Sequence, residues 1–122
     1  MPTLTTLTSE VLAFRDERDW AQFHTPRNLA AALAIEAAEL QEEFLWKEDA
    51  EIAEYLASKP GHRAVSDEIA DVVIYALLFA HASGIDLGAA VRKKLEKNRE
   101  KYPVERARGS ARKYTELGDA AE

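Results

Sequence analysis

The residues best placed to do chemistry are two acid pairs. Glu36 and Glu39 are three residues apart, and so are Glu68 and Asp71. In a helix that spacing puts both members of a pair on one face. Take Glu36 as zero at roughly 100° per residue. Leu29, Leu33, Leu40 and Phe44 then fall on one flank, and Ile35 and Trp46 on the other. Glu39 and Glu43 lie between the flanks, on the side that ought to be packed. Glu68 and Asp71 share a face with Val65, Val72, Tyr75 and Phe79. Buried ionised carboxylates are costly unless paired or bound to a metal. Two packed helices that turn such pairs toward a shared core gather four carboxylates, which cannot stay ionised together without cations. Oxygen-only ligands select hard ions, so Mg²⁺, with Mn²⁺ second, is expected rather than zinc.

Two other readings compete. The acids could pair with Lys or Arg from neighbouring helices, but the early and middle helices hold few cations. A di-iron carboxylate bundle needs Glu-x-x-His on two helices. Here Glu39 and Asp71 occupy those positions, and His24, His62 and His81 do not.

A second constellation lies further along. Lys94, Asn98 and Lys101 share one helix face as K-x-x-x-N-x-x-K, with Arg99 beside them. A polyphosphate needs such groups: ammonium charges for its terminal phosphates and an amide to orient an oxygen or a base. Taken singly, Lys94 and Lys101 also suit a snorkelling basic face. Trp20, Phe23, His24, Trp46 and Tyr75 are candidates for a stacking pocket, where aromatic faces hold nucleobases at about 1–3 kcal/mol each. On the helical wheel Trp46 lies next to Glu39, and Tyr75 next to Asp71. Acid, cation and aromatic signals together point to a nucleotide.

The elements that must position these residues read as helices throughout. Thr8 or Ser9 is placed to cap a first helix through Trp20. His24-Thr25-Pro26 breaks the pattern, and a long helix is expected over about 28 to 47. A short amphipathic piece, EDAEIAEYLAS, precedes Lys59-Pro60-Gly61. The next helix runs from about 62 to 82, and IADVVIYALLFA within it is apolar nearly all round, as in a central buried helix. Asp86 caps a further helix to about Tyr102, before Pro103. The tail from 104 to 122 lacks a clear period and is expected to lie over the surface. No internal repeat or linker is visible. The spacing predicts an all-α antiparallel bundle of four to five helices in a single domain over 1–122, with its core at about 8–103.

Composition agrees. A chain of 122 residues, 47% hydrophobic and 31% charged, fits one globular domain. No apolar run approaches the roughly 20 residues that span a bilayer, and the N-terminus lacks a signal-peptide layout. With no cysteine, disulfides and thiolate metal sites are excluded. A cytoplasmic protein without membrane contact is expected. The net charge of -6 hides an asymmetry: residues 92–113 hold ten of the sixteen Lys and Arg. An acidic centre followed by a basic segment suits an anionic ligand that arrives with a cation, although a solvated helix has the same look.

On these residues the chain resembles the MazG-like, all-α nucleoside triphosphate pyrophosphohydrolases. Their signature is Glu-x-x-Glu, a spacer, then Glu-x-x-Asp. Here it reads EAAE (Glu36, Glu39), twenty-eight residues, then EIAD (Glu68, Asp71). The resemblance is closest to the dCTP pyrophosphatase branch. It extends over FRDERDWAQFHTPRNL, AAELQEEFLWK, DEIADVVIYALLFA, KLEKNREKYP and RGSARKYTEL. It implies Mg²⁺-dependent cleavage between the α and β phosphates, giving a nucleoside monophosphate and pyrophosphate. It further implies Mg²⁺ ligands at Glu36, Glu39, Glu68 and Asp71. A glutamate not fully engaged by the ion, Glu36 or Glu39, is expected to take the proton from water. Trp20, His24, Trp46 and Tyr75 match positions around base and sugar. Lys94, Asn98 and Tyr102 match the phosphate side, and the neighbouring cations Arg99 and Lys101 are added to them from their place on the helix.

The preferred substrates expected are dCTP and 5-modified dCTP, with dUTP, dTTP or a damaged nucleotide as alternatives, and the implied assembly is a homotetramer built as a dimer of dimers, with no nucleic-acid partner. Such proteins differ in the stretch between the acid helices, here EDAEIAEYLASKPGHRAV. The alternative from another class is a non-catalytic helical module that binds a protein or nucleic acid through its basic C-terminal segment. Among the remaining acids, Glu42 is expected in solvent, and Glu43 paired with a cation such as Lys47.

Overall fold

The computed structural model describes residues 1–118. Among them are six α-helices, two short 3-10 turns and no strand: α1 Leu4–Glu17, α2 Pro26–Glu42, α3 Asp49–Ala57, α4 Lys59–Ala82, α5 Leu87–Lys101 and α6 Val104–Ala107. The all-α expectation holds. The helices fall into two compact units, one over Met1–Ile85 and one from Asp86 onward. No single described helix is long and apolar enough to cross a membrane.

Helix α1 begins earlier than Thr8. Thr3 and Thr6 form a reciprocal capping box, each hydroxyl accepting from the other's backbone N–H at 3.1 and 2.9 Å. The hydroxyls of Thr8 and Ser9 instead donate back to the carbonyls of Leu4 and Thr5, the arrangement of residues inside a helix. The helix also stops short of Trp20. Asp19 takes a left-handed φ of 53°, which Asp tolerates better than most residues, and Trp20 enters the 3-10 turn Ala21–Phe23.

Helix α2 starts on a Thr25 cap with Pro26 in its first turn, and it ends at Glu42 rather than near 47. Its last turn tightens into i→i−3 bonds, from Glu43 to Leu40, Phe44 to Gln41 and Leu45 to Glu42. Lys47 donates to the Glu43 carbonyl, and Trp46 turns left-handed at φ 65°. The wheel drawn through Trp46 therefore fails after Glu42.

Ser58 both closes α3 and opens α4. Its hydroxyl donates to the Tyr55 carbonyl at 2.7 Å and accepts from the Gly61 N–H at 3.1 Å. That cap, with Pro60 in the first turn where proline is tolerated, starts α4 at Lys59 instead of 62. Gly61 is buried at this corner, and a Cβ there would stand 2.0 Å from the Tyr55 carbonyl oxygen. Only glycine lets the two helices meet so closely.

Helix α4 packs against α1, α2 and α3. Leu29, Leu77, Leu78 and Ala80 form the buried core. The expectation that α4 is enclosed on all sides is corrected: Ile69 and Val73 are exposed. In the second unit, the tail without a clear period contains the single turn α6 and a 3-10 turn over Tyr114–Glu116.

Candidate active site

The packing of α2 on α4 brings acids from both helices together. Glu36, Glu39 and Glu68 each place a carboxylate oxygen within 4.8 Å of the others. Glu36 and Glu68 are half-buried, and each hides its Oε2 from solvent without a hydrogen-bond partner. Burial, then the neighbouring Glu39, then the charges of Asp71 and Glu68 push the Glu36 carboxyl up to about 7. Burial first and Glu39 next raise Glu68 as well. Asp71 stands outside the three-oxygen set but close enough for its charge to act on both. An all-oxygen donor set with two unsatisfied buried oxygens suits a hard divalent cation.

Beside the acids, and within the same unit, a cavity of about 320 Å³ opens, near the lower end for small-ligand sites. Asp71, Tyr75, Trp20 and His24 line it, together with Phe14 and Leu78. Burial and then the charges of Glu36, Asp71 and Glu39 raise the Tyr75 phenol, so Tyr75 faces both the acids and the cavity. The Trp20 and His24 rings lie 6.4 Å apart, tilted by 49°. Burial and the nearby Arg15 charge lower the His24 pKa, and its buried Nδ1 has no partner. The buried Nδ1 of His24 is thus free to bond a ligand in the cavity.

Two expected neighbours lie elsewhere. Trp46 is 92% exposed and does not line the cavity, because α2 ends before it. Phe23, another stacking candidate, is also exposed. Glu43 does not form the expected ion pair. Its carboxylate accepts from the Tyr55 hydroxyl, while Lys47 bonds the Glu43 backbone carbonyl and sits 4.0 Å over the Tyr55 ring. Glu42 is exposed, as expected.

The candidates on α5 belong to the second unit. Asn98 is half-buried, and its carbonyl accepts from the Tyr102 N–H at 2.8 Å. Lys94 is exposed, and Arg99 pairs with Glu96. Lys101 reaches over the Tyr114 ring at 5.0 Å, and Tyr102 packs edge-on against the same ring at 6.0 Å. The KYTEL segment thereby holds the end of α5.

Sequence reasoning passed over the α1 wall of the cavity, where Glu10, Val11, Phe14 and Arg15 contribute. The signal was present as i, i+4 rows, Glu10–Phe14 and Val11–Arg15. The expected helix from Thr8 or Ser9 to Trp20 already contained all four residues, but none of them belonged to an acid pair or an aromatic cluster, so the face was not singled out.

The chain belongs to the MazG-like family, whose model matches residues 31–117. It is similar to dCTP pyrophosphatase 1 of Rattus norvegicus, 45% identical over 116 residues, covering 95% of this chain and 68% of that protein. The Homo sapiens dCTP pyrophosphatase 1 is 44% identical over 120 residues, covering 98% and 71%. Among solved structures, a pyrophosphatase from Archaeoglobus fulgidus superposes with a TM-score of 0.75 at 41% identity, over 84% of this chain and 94% of that one.

Proposed function

We propose that this chain hydrolyses dCTP and 5-modified dCTP to the nucleoside monophosphate and pyrophosphate, with Mg²⁺ as its ion. One observation carries the reading. Carboxylate oxygens of Glu36, Glu39 and Glu68 converge within 4.8 Å, beside a cavity lined by Asp71 and by aromatic rings. The dCTP specificity rests on the similarity to the dCTP pyrophosphatases.

Glu36, Glu39, Glu68 and Asp71 would hold the ion. When bound, such an ion neutralises phosphate oxygens and makes water a stronger nucleophile near neutral pH. Water attacks the α-phosphorus as the bond from that phosphorus to the oxygen shared with the β-phosphate breaks, and pyrophosphate leaves. Glu36 or Glu39 accepts the proton that water gives up. Trp20 and Tyr75 hold base and sugar, and the free Nδ1 of His24 is available to a polar atom of either. The phosphate-side roles of Lys94, Asn98, Arg99, Lys101 and Tyr102 rest on the K-x-x-x-N-x-x-K pattern and on resemblance alone, as does a nucleotide role for Trp46.

The assembly is a homotetramer. Ile35, Trp46, Ile69 and Val73 are apolar and exposed on this chain, and an apolar surface of that kind suits an interface. Light scattering on the purified protein reads the mass directly. The activity is tested with a panel of common and 5-modified nucleoside triphosphates, with and without Mg²⁺. Monophosphate and pyrophosphate are expected, most efficiently from the dCTP group. Orthophosphate and a diphosphate, or no product from any member, would overturn the reading.

A further inference from the structure

The α1 wall of the cavity carries two opposite charges that do not meet. Glu10 and Arg15 both line it, yet no ion pair forms between them among the described residues. On the helix they occupy opposite corners of a patch made by the adjoining rows Glu10–Phe14 and Val11–Arg15. Only 17% of the Arg15 side chain is exposed. Asp16 fixes the guanidinium from outside, accepting from Nε at 2.8 Å and lying 2.7 Å from one terminal nitrogen. The other terminal nitrogen makes no hydrogen bond among the described residues. The guanidinium thus keeps N–H groups that no described protein atom engages and that a ligand in the cavity can take up. The exposed carboxylate of Glu10 borders the same space at its rim.

We propose that Glu10 and Arg15 are the base-reading pair of this pocket, which rests on the nucleotide reading above. Cytosine presents an amino donor, a ring-nitrogen acceptor and a carbonyl along one edge. Glu10 accepts from the amino group, and Arg15 donates to the ring nitrogen and carbonyl. Uracil and thymine turn a carbonyl toward the carboxylate and an N–H toward the guanidinium, so both contacts become repulsive or empty. Adenine offers the amino group and one ring nitrogen but no carbonyl for the second guanidinium bond. Carboxylate-to-amino and Arg-to-acceptor contacts are the pairings that separate bases elsewhere in nucleotide recognition. Asp16 acts as a positioning residue that holds Arg15 in its orientation.

The test compares wild type, Arg15→Met and Glu10→Gln on dCTP and dUTP with Mg²⁺, reading kcat/KM from pyrophosphate release. Methionine keeps most of the buried stem and removes the donors. In Arg15→Met the dCTP-to-dUTP ratio of kcat/KM should fall roughly tenfold or more, chiefly through KM for dCTP. In Glu10→Gln the ratio should fall because dUTP is used better, since an amide can donate to the uracil carbonyl. That gain cannot come from misfolding. Calorimetric binding of dCMP and dUMP to the same three proteins reads base preference without turnover. Wild type that prefers dCMP but releases no pyrophosphate would sink the proposed reaction and leave the base-reading pair standing. Equal losses on both bases, or an unchanged ratio in turnover and in binding, would overturn the pair and leave the reaction standing.

Discussion

Glu36 on α2 and Glu68 on α4 come from different parts of the chain, yet each buries an Oε2 that receives no hydrogen bond. With Glu39 they hold three carboxylate oxygens within 4.8 Å. Charges so placed oppose folding unless a proton or a cation is shared among them.

Stability without metal should therefore fall as pH rises. Glu36 titrates at about 7 in the folded chain, and Glu68 is raised in the same direction. From about 4.5 up to about 7 the folded state binds more protons than the unfolded state, so each pH step in that window costs stability. Calorimetry in a chelator should show Tm declining between pH 5 and 8. Added Mg²⁺ should raise Tm more at pH 8 than at pH 5.5. An equal rise at both values would argue against ion binding by these acids.

Function and metal-free stability should move in opposite directions at Glu68. Glu68→Gln removes a charge from the cluster, so Tm in a chelator at pH 8 is expected to rise. Mg²⁺-dependent turnover should fall by roughly two orders of magnitude or more. Glu39→Gln and Asp71→Asn should lose turnover with helix content intact by circular dichroism. Full activity in either of the latter would remove the four acids from the site.

The corner between α3 and α4 supports α2 through Tyr55. Tyr55→Phe deletes the donor to Glu43 and should cost about 1–2 kcal/mol in urea unfolding. Gly61→Ala forces a methyl group onto the Tyr55 carbonyl, a backbone atom that cannot swing aside. A cost of about 3 kcal/mol or more is expected. If alanine there costs no more than about 0.5 kcal/mol, α3 and α4 do not meet as closely as described.

Trp46 contributes little to packing within its own chain, being 92% exposed. Trp46→Ala should leave helix content unchanged and lower the assembled mass at micromolar concentration by light scattering. An unchanged mass would detach Trp46 from the interface.

The helical class and the two acid pairs were legible in the sequence because both depend on a single period, 3.6 residues. Spacing alone fixed which acids share a face, and the packing of α2 on α4 gathered three of them. Helix ends were less legible, since they depend on competing hydrogen bonds. Thr3 was overlooked as a cap because Thr8 and Ser9 are equally good capping residues by type. Trp46 was placed on a helix that a tightened last turn and the Lys47 ammonium bring to a close. Arg15 was missed because nothing in its type or spacing marks a single basic residue on α1 as enclosed. Its low exposure and its place on the cavity wall show the enclosure.

On the proposed reaction, water attacks the α-phosphorus of dCTP beside Glu36, Glu39, Glu68 and Asp71. Turnover of dCTP with Mg²⁺ in ¹⁸O-labelled water, read by mass spectrometry of both products, tests it most directly. The label should appear in dCMP, with none in pyrophosphate. Label in pyrophosphate, or release of orthophosphate with dCDP, would place the attack at another phosphorus and rule the proposed cleavage out.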